Sequence, residues 1–74
     1  MKSVKTVEQA VITAFAKRRK ELGYSYEKIG ELSGLHRTSI SLIERGKIQP
    51  TLVACLKIAE ALEVKLEDLI RKGR

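Results

Sequence analysis

Residues Gly23–Lys47 read GYSYEKIGELSGLHRTSISLIERGK. Two short apolar-periodic segments lie in this stretch, one on either side of Ser33-Gly34, with Gly46 beyond the second. Ser25 stands where a helix N-cap belongs. Glu27 follows in the first turn, where a carboxylate meets the positive end of the helix dipole. The spacing predicts a helix over Tyr26 to Leu32, a break at Ser33-Gly34, and a second helix over about Arg37 to Arg45 that Gly46 stops.

On a wheel of about 100° per residue, Ile40 and Ile43 fall about 60° apart and define an inward face. Thr38, Leu42 and Arg45 gather on the opposite face, with Ser41 at its margin, and Arg37 projects from the first turn. A solubilising helix usually carries long Glu and Lys side chains. This face is small, hydroxylated and basic, with one leucine, which suits close approach to a DNA major groove. An arginine can donate two bonds to guanine, hydroxyls can meet bases or phosphates, and a leucine can touch a thymine methyl. Between Ser33 and Ala59 the basic residues are Arg37, Arg45, Lys47 and Lys57, and Glu44 is the lone acid.

The residues upstream make the reading specific. Ile29 points inward. Gly30 lacks a side chain where two helices cross closely, and Gly34 supplies a left-handed turn between them. Leu35, Ile40 and Ile43 fill the angle. From Ile29 to Gly46 these features stand in register as a helix-turn-helix.

The flanking sequence predicts three more helices and no strand. One runs from about Val7 to Leu22, with Thr6 as cap, Gln9 completing a capping box, and Gly23 as a left-handed stop. In its basic run, Lys17 to Lys20, the charges spread round the helix as a solvated end. Another runs from about Leu52 to Leu62, after Pro50 and with Thr51 as cap. Only Lys57 and Glu60 are polar in it, so it must be buried on more than one side. Either it is the central helix or one flank meets another subunit. The last covers about Leu66 to Lys72, with Glu67 and Asp68 at its start and Arg71 and Lys72 at its end. The fold class is therefore all-α: one five-helix domain over residues 1–74, with flexible ends at 1–5 and 73–74 and a solvated tail from Arg71 to Arg74.

The segment GYSYEKIGELSGLHRTSISLIERGK, with its flanking helices, resembles the Cro/repressor-like helix-turn-helix family of the xenobiotic-response-element type. The similarity is greatest to small stand-alone members such as the controller proteins of restriction–modification systems, and it extends over residues about 8 to 70. The resemblance implies sequence-specific binding of double-stranded DNA and transcription regulation. It assigns base reading to Arg37 and Thr38, with Ser41 and Leu42 near the groove, and phosphate contact to Ser39, Arg45 and Lys47. It implies a structural ion pair between Arg19 and Glu44, and a homodimer joined through the last helices around Leu66, Leu69 and Ile70. Where the family usually has a phosphate-bonding Gln at the start of the second helix, this chain has Tyr26. Its hydroxyl can take that role, or its ring can pack against the first helix. A palindromic operator, a five-helix chain with no effector domain, and control through concentration and autoregulation complete the expectation.

Other classes find less support. Aromatic residues are 4% of the chain, too few for the stacked-base platform of single-strand binders. No His–Cys, paired-carboxylate or Gly-rich phosphate constellation points to an enzyme. A single Cys and a single His leave no metal site. His36 is better read as a helix cap or a phosphate contact, and Cys55 as a small buried hydrophobe. No cofactor or small-molecule ligand is expected. No apolar run reaches the roughly 20 residues of a membrane span, and MKSVKTVEQ has no signal-peptide core, so no membrane association and a cytoplasmic location are expected. A net charge of +6 agrees with a polyanionic partner without requiring one. The alternative is an antitoxin-like interaction module, with the apolar fourth helix and Leu42 covering a partner protein.

Overall fold

A computed structural model of the chain describes residues 3–73, in which the elements are five α-helices. They are α1 (Val4–Leu22), α2 (Tyr26–Ser33), α3 (Arg37–Glu44), α4 (Leu52–Ala61) and α5 (Leu66–Gly73). α1 has 19 residues, about 28 Å at 1.5 Å per residue, and carries the rest. α3 packs on α1, as does α5; α2 packs against both α3 and α4. Phe15, Ile29 and Ile40, from α1, α2 and α3, and Leu62, just past the end of α4, are the largest fully buried side chains. They meet where α1 faces the α2–α3 pair, so the core lies directly behind α3.

The caps follow local chemistry. Ser25 Oγ accepts from Lys28 N–H, and Thr51 Oγ1 accepts from Ala54 N–H. α1 begins a turn earlier than its sequence suggests. Ser3, not Thr6, is the cap: its hydroxyl accepts from Thr6 N–H and also pairs with the Thr6 hydroxyl at 2.9 Å. Nothing between Ser3 and Thr6 breaks a helix, so the earlier hydroxyl takes the end. Val4 and Lys5, expected in a flexible end, are helical. At the other end Arg71, Lys72 and Gly73 belong to α5; Arg71 and Lys72 are solvated as expected, whereas Gly73, expected in a flexible end, is not. Gly73 is buried because it runs against α1, where an added Cβ would lie 2.9 Å from that of Ala10. Met1, Lys2 and Arg74 lie outside the described residues.

α1, α3 and α4 end in the same pair of reversed hydrogen bonds. One or two residues past each helix end the chain takes a left-handed conformation, and the next N–H reaches back five residues. Tyr24 N–H thus bonds Arg19 O, Lys47 N–H bonds Leu42 O, and Val64 N–H bonds Ala59 O. Gly23 and Gly46 supply the left-handed residue in two cases; in the third it is Glu63, at φ 59°.

α4 is not the central helix. Ile58, Ala59, Ala61 and Leu62 are buried, whereas Leu52, Val53 and Leu56 are 67%, 59% and 51% exposed. Its apolar first half is therefore open to solvent. Leu66, expected at a subunit interface, is 8% exposed and belongs to the core. Leu69 is half-buried against the same core, and of those three only Ile70 is exposed.

The α2–α3 turn depends on Gly30. A Cβ there would lie 2.8 Å from the Leu35 carbonyl oxygen, a backbone atom that has no rotamer by which to withdraw. Gly30→Ala is expected to cost about 1–3 kcal/mol through this overpacking, read as a lowered urea midpoint with unchanged m-value.

Candidate nucleic-acid interface

α3 is anchored at both ends. At its start, Gly34 N–H bonds Gly30 O, and the buried Ser33 hydroxyl accepts from Leu35 N–H at 3.2 Å. These two bonds satisfy the turn internally. His36 is the N-cap: its Nδ1 accepts from Thr38 N–H at 3.1 Å. An accepting Nδ1 carries no proton, so the neutral ring has its hydrogen on Nε2, a donor still available to a ligand.

At the far end lies a half-buried polar cluster. Arg19 Nε–H donates to Glu44 Oε2 at 2.7 Å and Nη2–H to Oε1 at 3.1 Å, a two-pronged pair. Arg19 Nη1–H donates to the Tyr24 carbonyl at 2.9 Å. The Tyr26 hydroxyl donates to Glu44 Oε1 at 3.3 Å, and the Arg19 guanidinium lies 4.4 Å from the centre of the Tyr26 ring. The hydrogen bond to Glu44 raises the Arg19 pKa above its ordinary value; partial burial opposes this, and the Glu44 charge adds to it. The structure thus brings Arg19 and Glu44 together and adds Tyr26 to them. The single hydroxyl proton of Tyr26 is directed to Glu44, and its ring lies against Arg19 of α1, which is the packing alternative for this side chain.

With both ends held, the outer surface of α3 is what remains. Arg37, Thr38, Arg45 and Lys47 are exposed, as is His36. Ser39, Ser41 and Leu42 are half-buried, so Leu42 stands less far out than the wheel places it. Lys47 lies next to the helix end because its N–H bonds the Leu42 carbonyl at 2.9 Å. Arg37 Nη1–H meets Glu27 Oε2 at 3.4 Å. The basic run of α1 is only partly a solvated end: Lys17 and Lys20 are exposed, but Arg18 Nε–H donates to the Leu62 carbonyl at 3.0 Å and closes the end of α4. Sequence reasoning missed Glu27, Tyr26 as a partner of Glu44, and Arg18. The spacing of Glu27 one turn before Gly30 is the signal that could have pointed to the first; the other two contacts are tertiary.

A helix-turn-helix family model matches residues 15–69, which takes in the end of α1, all of α2, α3 and α4, and the start of α5. The chain belongs to the Cro/repressor-like helix-turn-helix family. It is 43% identical over 51 residues to the HTH-type transcriptional regulator YgzD of Bacillus subtilis strain 168, covering 69% of this chain and 77% of that one. It is 38% identical over 58 residues to an HTH-type transcriptional regulator of Methanothermobacter thermautotrophicus, covering 77% and 84%. It is 34% identical over 56 residues to the HTH-type transcriptional regulator y4dJ of Sinorhizobium fredii, covering 76% and 73%. No solved structure matches the chain.

Away from α3, an open apolar groove of about 820 Å³ runs between α1, α4 and α5, lined by Val4, Val7, Val11, Leu52 and Ile70 among others. Cys55 is half-buried in its wall, and burial pushes its thiol pKa up, with the Glu8 charge adding to the effect. Among the described residues no group of three or more His, Cys, Asp or Glu could hold a metal ion, and no helix is long and apolar enough to cross a membrane.

Glu44→Ala would leave Arg19 without its carboxylate, bonded only to the Tyr24 carbonyl, and the Tyr26 hydroxyl without an acceptor, with Arg19 only 14% exposed. A loss of about 2–3 kcal/mol is expected, somewhat below that of breaking a fully buried pair, measured by urea denaturation. Glu44→Gln, which keeps the shape and two acceptor lone pairs, is expected to lose less.

Proposed function

We propose that this protein is a sequence-specific DNA-binding transcriptional regulator that works as a homodimer, one α3 per subunit entering the major groove. The observation that carries this is the exposed α3 face, anchored at both ends, with small, hydroxylated and cationic side chains and no acid of its own on that surface. Family membership and relatives named as HTH-type transcriptional regulators support it. Arg37 and Thr38 read bases, with Ser41 and Leu42 at the groove. Ser39, His36 through Nε2–H, Arg45 and Lys47 contact phosphates and set register. In this reading Tyr26 braces Glu44 and is not counted among the phosphate contacts.

The dimer interface moves from Leu66 and Leu69 to the solvent-exposed apolar residues that remain. Leu52, Val53 and Leu56 on α4 and Ile70 on α5 form a flank that water alone would cover in a monomer. A two-fold axis there pairs the flank with its own copy, as an isologous contact requires. Two recognition helices about 34 Å apart then read a palindromic operator. The same flank is what an antitoxin-like module would offer another protein. Sedimentation of the isolated chain separates the two: a dimer fits the regulator, a monomer that recruits a stoichiometric partner fits the module.

On a duplex enriched from random sequence, Arg37→Ala is expected to cost about 1–3 kcal/mol and relax preference at one base step. Equal weakening on specific and random duplexes would remove Arg37 from base reading. Lys47→Ala is expected to weaken both alike and to shallow the log–log salt slope by about one unit. Leu56→Glu is expected to give monomers by sedimentation equilibrium with helicity retained; an unchanged dimer would move the interface elsewhere.

A further inference from the structure

The charge of Arg37 is at odds with its place. A cation at a helix N-terminus faces the positive end of the dipole, and α3 has no acidic residue in its first turn. The acid that Arg37 meets comes from α2. Its Nη1–H donates to Glu27 Oε2 at 3.4 Å, with the two side chains 65% and 66% exposed. Backbone geometry produces this meeting. Glu27 lies three residues before Gly30, on the same face of α2. A Cβ at Gly30 would sit 3.4 Å from Arg37 N and 3.7 Å from its Cα. The first residue of α3 therefore runs against the α2 backbone, and its side chain emerges beside Glu27.

An exposed pair of this kind adds little to stability. Its consequence lies in which donors it leaves free. With Nη1 turned to Glu27, the parallel Nε–H and Nη2–H bonds along the other edge of the guanidinium have no partner among the described residues. Two parallel N–H donors are what guanine N7 and O6 accept. Resting on the reading of Arg37 as a base contact, the geometry points to Glu27 as a positioning residue that determines specificity. It touches no base. It holds the Arg37 fork with its free edge outward. Its own carboxylate, beside a phosphate backbone, weakens binding wherever no guanine engages that fork, which widens the gap between right and wrong sites.

The test compares wild type, Glu27→Gln, Arg37→Ala and the double variant on two duplexes: the one enriched from random sequence, and the same duplex changed at the base pair that Arg37 reads. Glu27→Gln is expected to lower the preference between them by about three- to tenfold, part of what a bidentate base contact discriminates, and to tighten binding to random duplex. In the Arg37→Ala background, Glu27→Gln is expected to leave the preference unchanged. If Glu27→Gln tightens binding to every duplex by one factor, Glu27 is only a repelling charge and the positioning role is overturned. If Arg37→Ala itself leaves the preference intact, base reading by Arg37 fails too, a result that does not involve Glu27. Thermal melts of each variant show whether the fold is intact, and base preference is not a quantity that a purely structural role would shift.

Discussion

Position 30 has no side chain, and the carbonyl of Leu35 occupies the space one would need. This close approach sets the crossing of α2 and α3. It brings the first residue of α3 against α2, puts Arg37 beside Glu27, and leaves Ile40 and Ile43 directed at Phe15 and Ile29 in the core. α3 has eight residues, too few to hold a helix in water unaided. It persists because its two ends are tied to different parts of the molecule: the start to α2 through the Gly30 contact, the end to α1 through Arg19 and Glu44. Tyr26 joins the second tie, so α2 also contributes at that end. A surface that must meet a rigid ligand in one register gains from this two-point attachment.

The two faces of the molecule differ in kind. The α3 face is cationic and hydroxylated, and any affinity for a polyanion through it is salt-dependent. The α4 flank with Ile70 is largely apolar, and any association through it would respond to salt far less. Specific DNA recognition by a small domain benefits from both, because a second copy doubles the base pairs read without enlarging the subunit. The family match runs over residues 15–69 and takes in the whole helix-turn-helix. The first turns of α1, which line the apolar groove, fall outside that region.

Much of this was legible in the sequence because it is local. Ser25, Thr51, Gly23, Gly34 and Gly46 act within a few residues of themselves, and each ends or begins a helix where the chain predicts it. Ile29, Ile40 and Ile43 announce the buried faces through period alone. What was not legible is tertiary or degenerate. Ser3 and Thr6 are both good caps at workable positions, and only the helix between them decides. Glu63 takes a left-handed turn with no glycine to mark it. Leu66, placed at a subunit interface by resemblance, turns inward once α5 is laid on α1, and the burial of Gly73 depends on the same packing, against Ala10. In the candidate site, the exposed face of α3 was readable from a wheel. The direction of the Tyr26 hydroxyl was not, because it depends on Glu44, 18 residues away.

The central claim is that the outer face of α3 is the DNA-binding surface. Amide chemical-shift mapping of the labelled protein, titrated with its enriched duplex at moderate salt, tests it most directly. The account predicts that the largest changes fall on residues 36–42 and 45–47, with Leu52, Val53, Leu56 and Ile70 unmoved from their positions in the free protein. Changes centred on the α4 flank, with residues 36–42 silent, would contradict it.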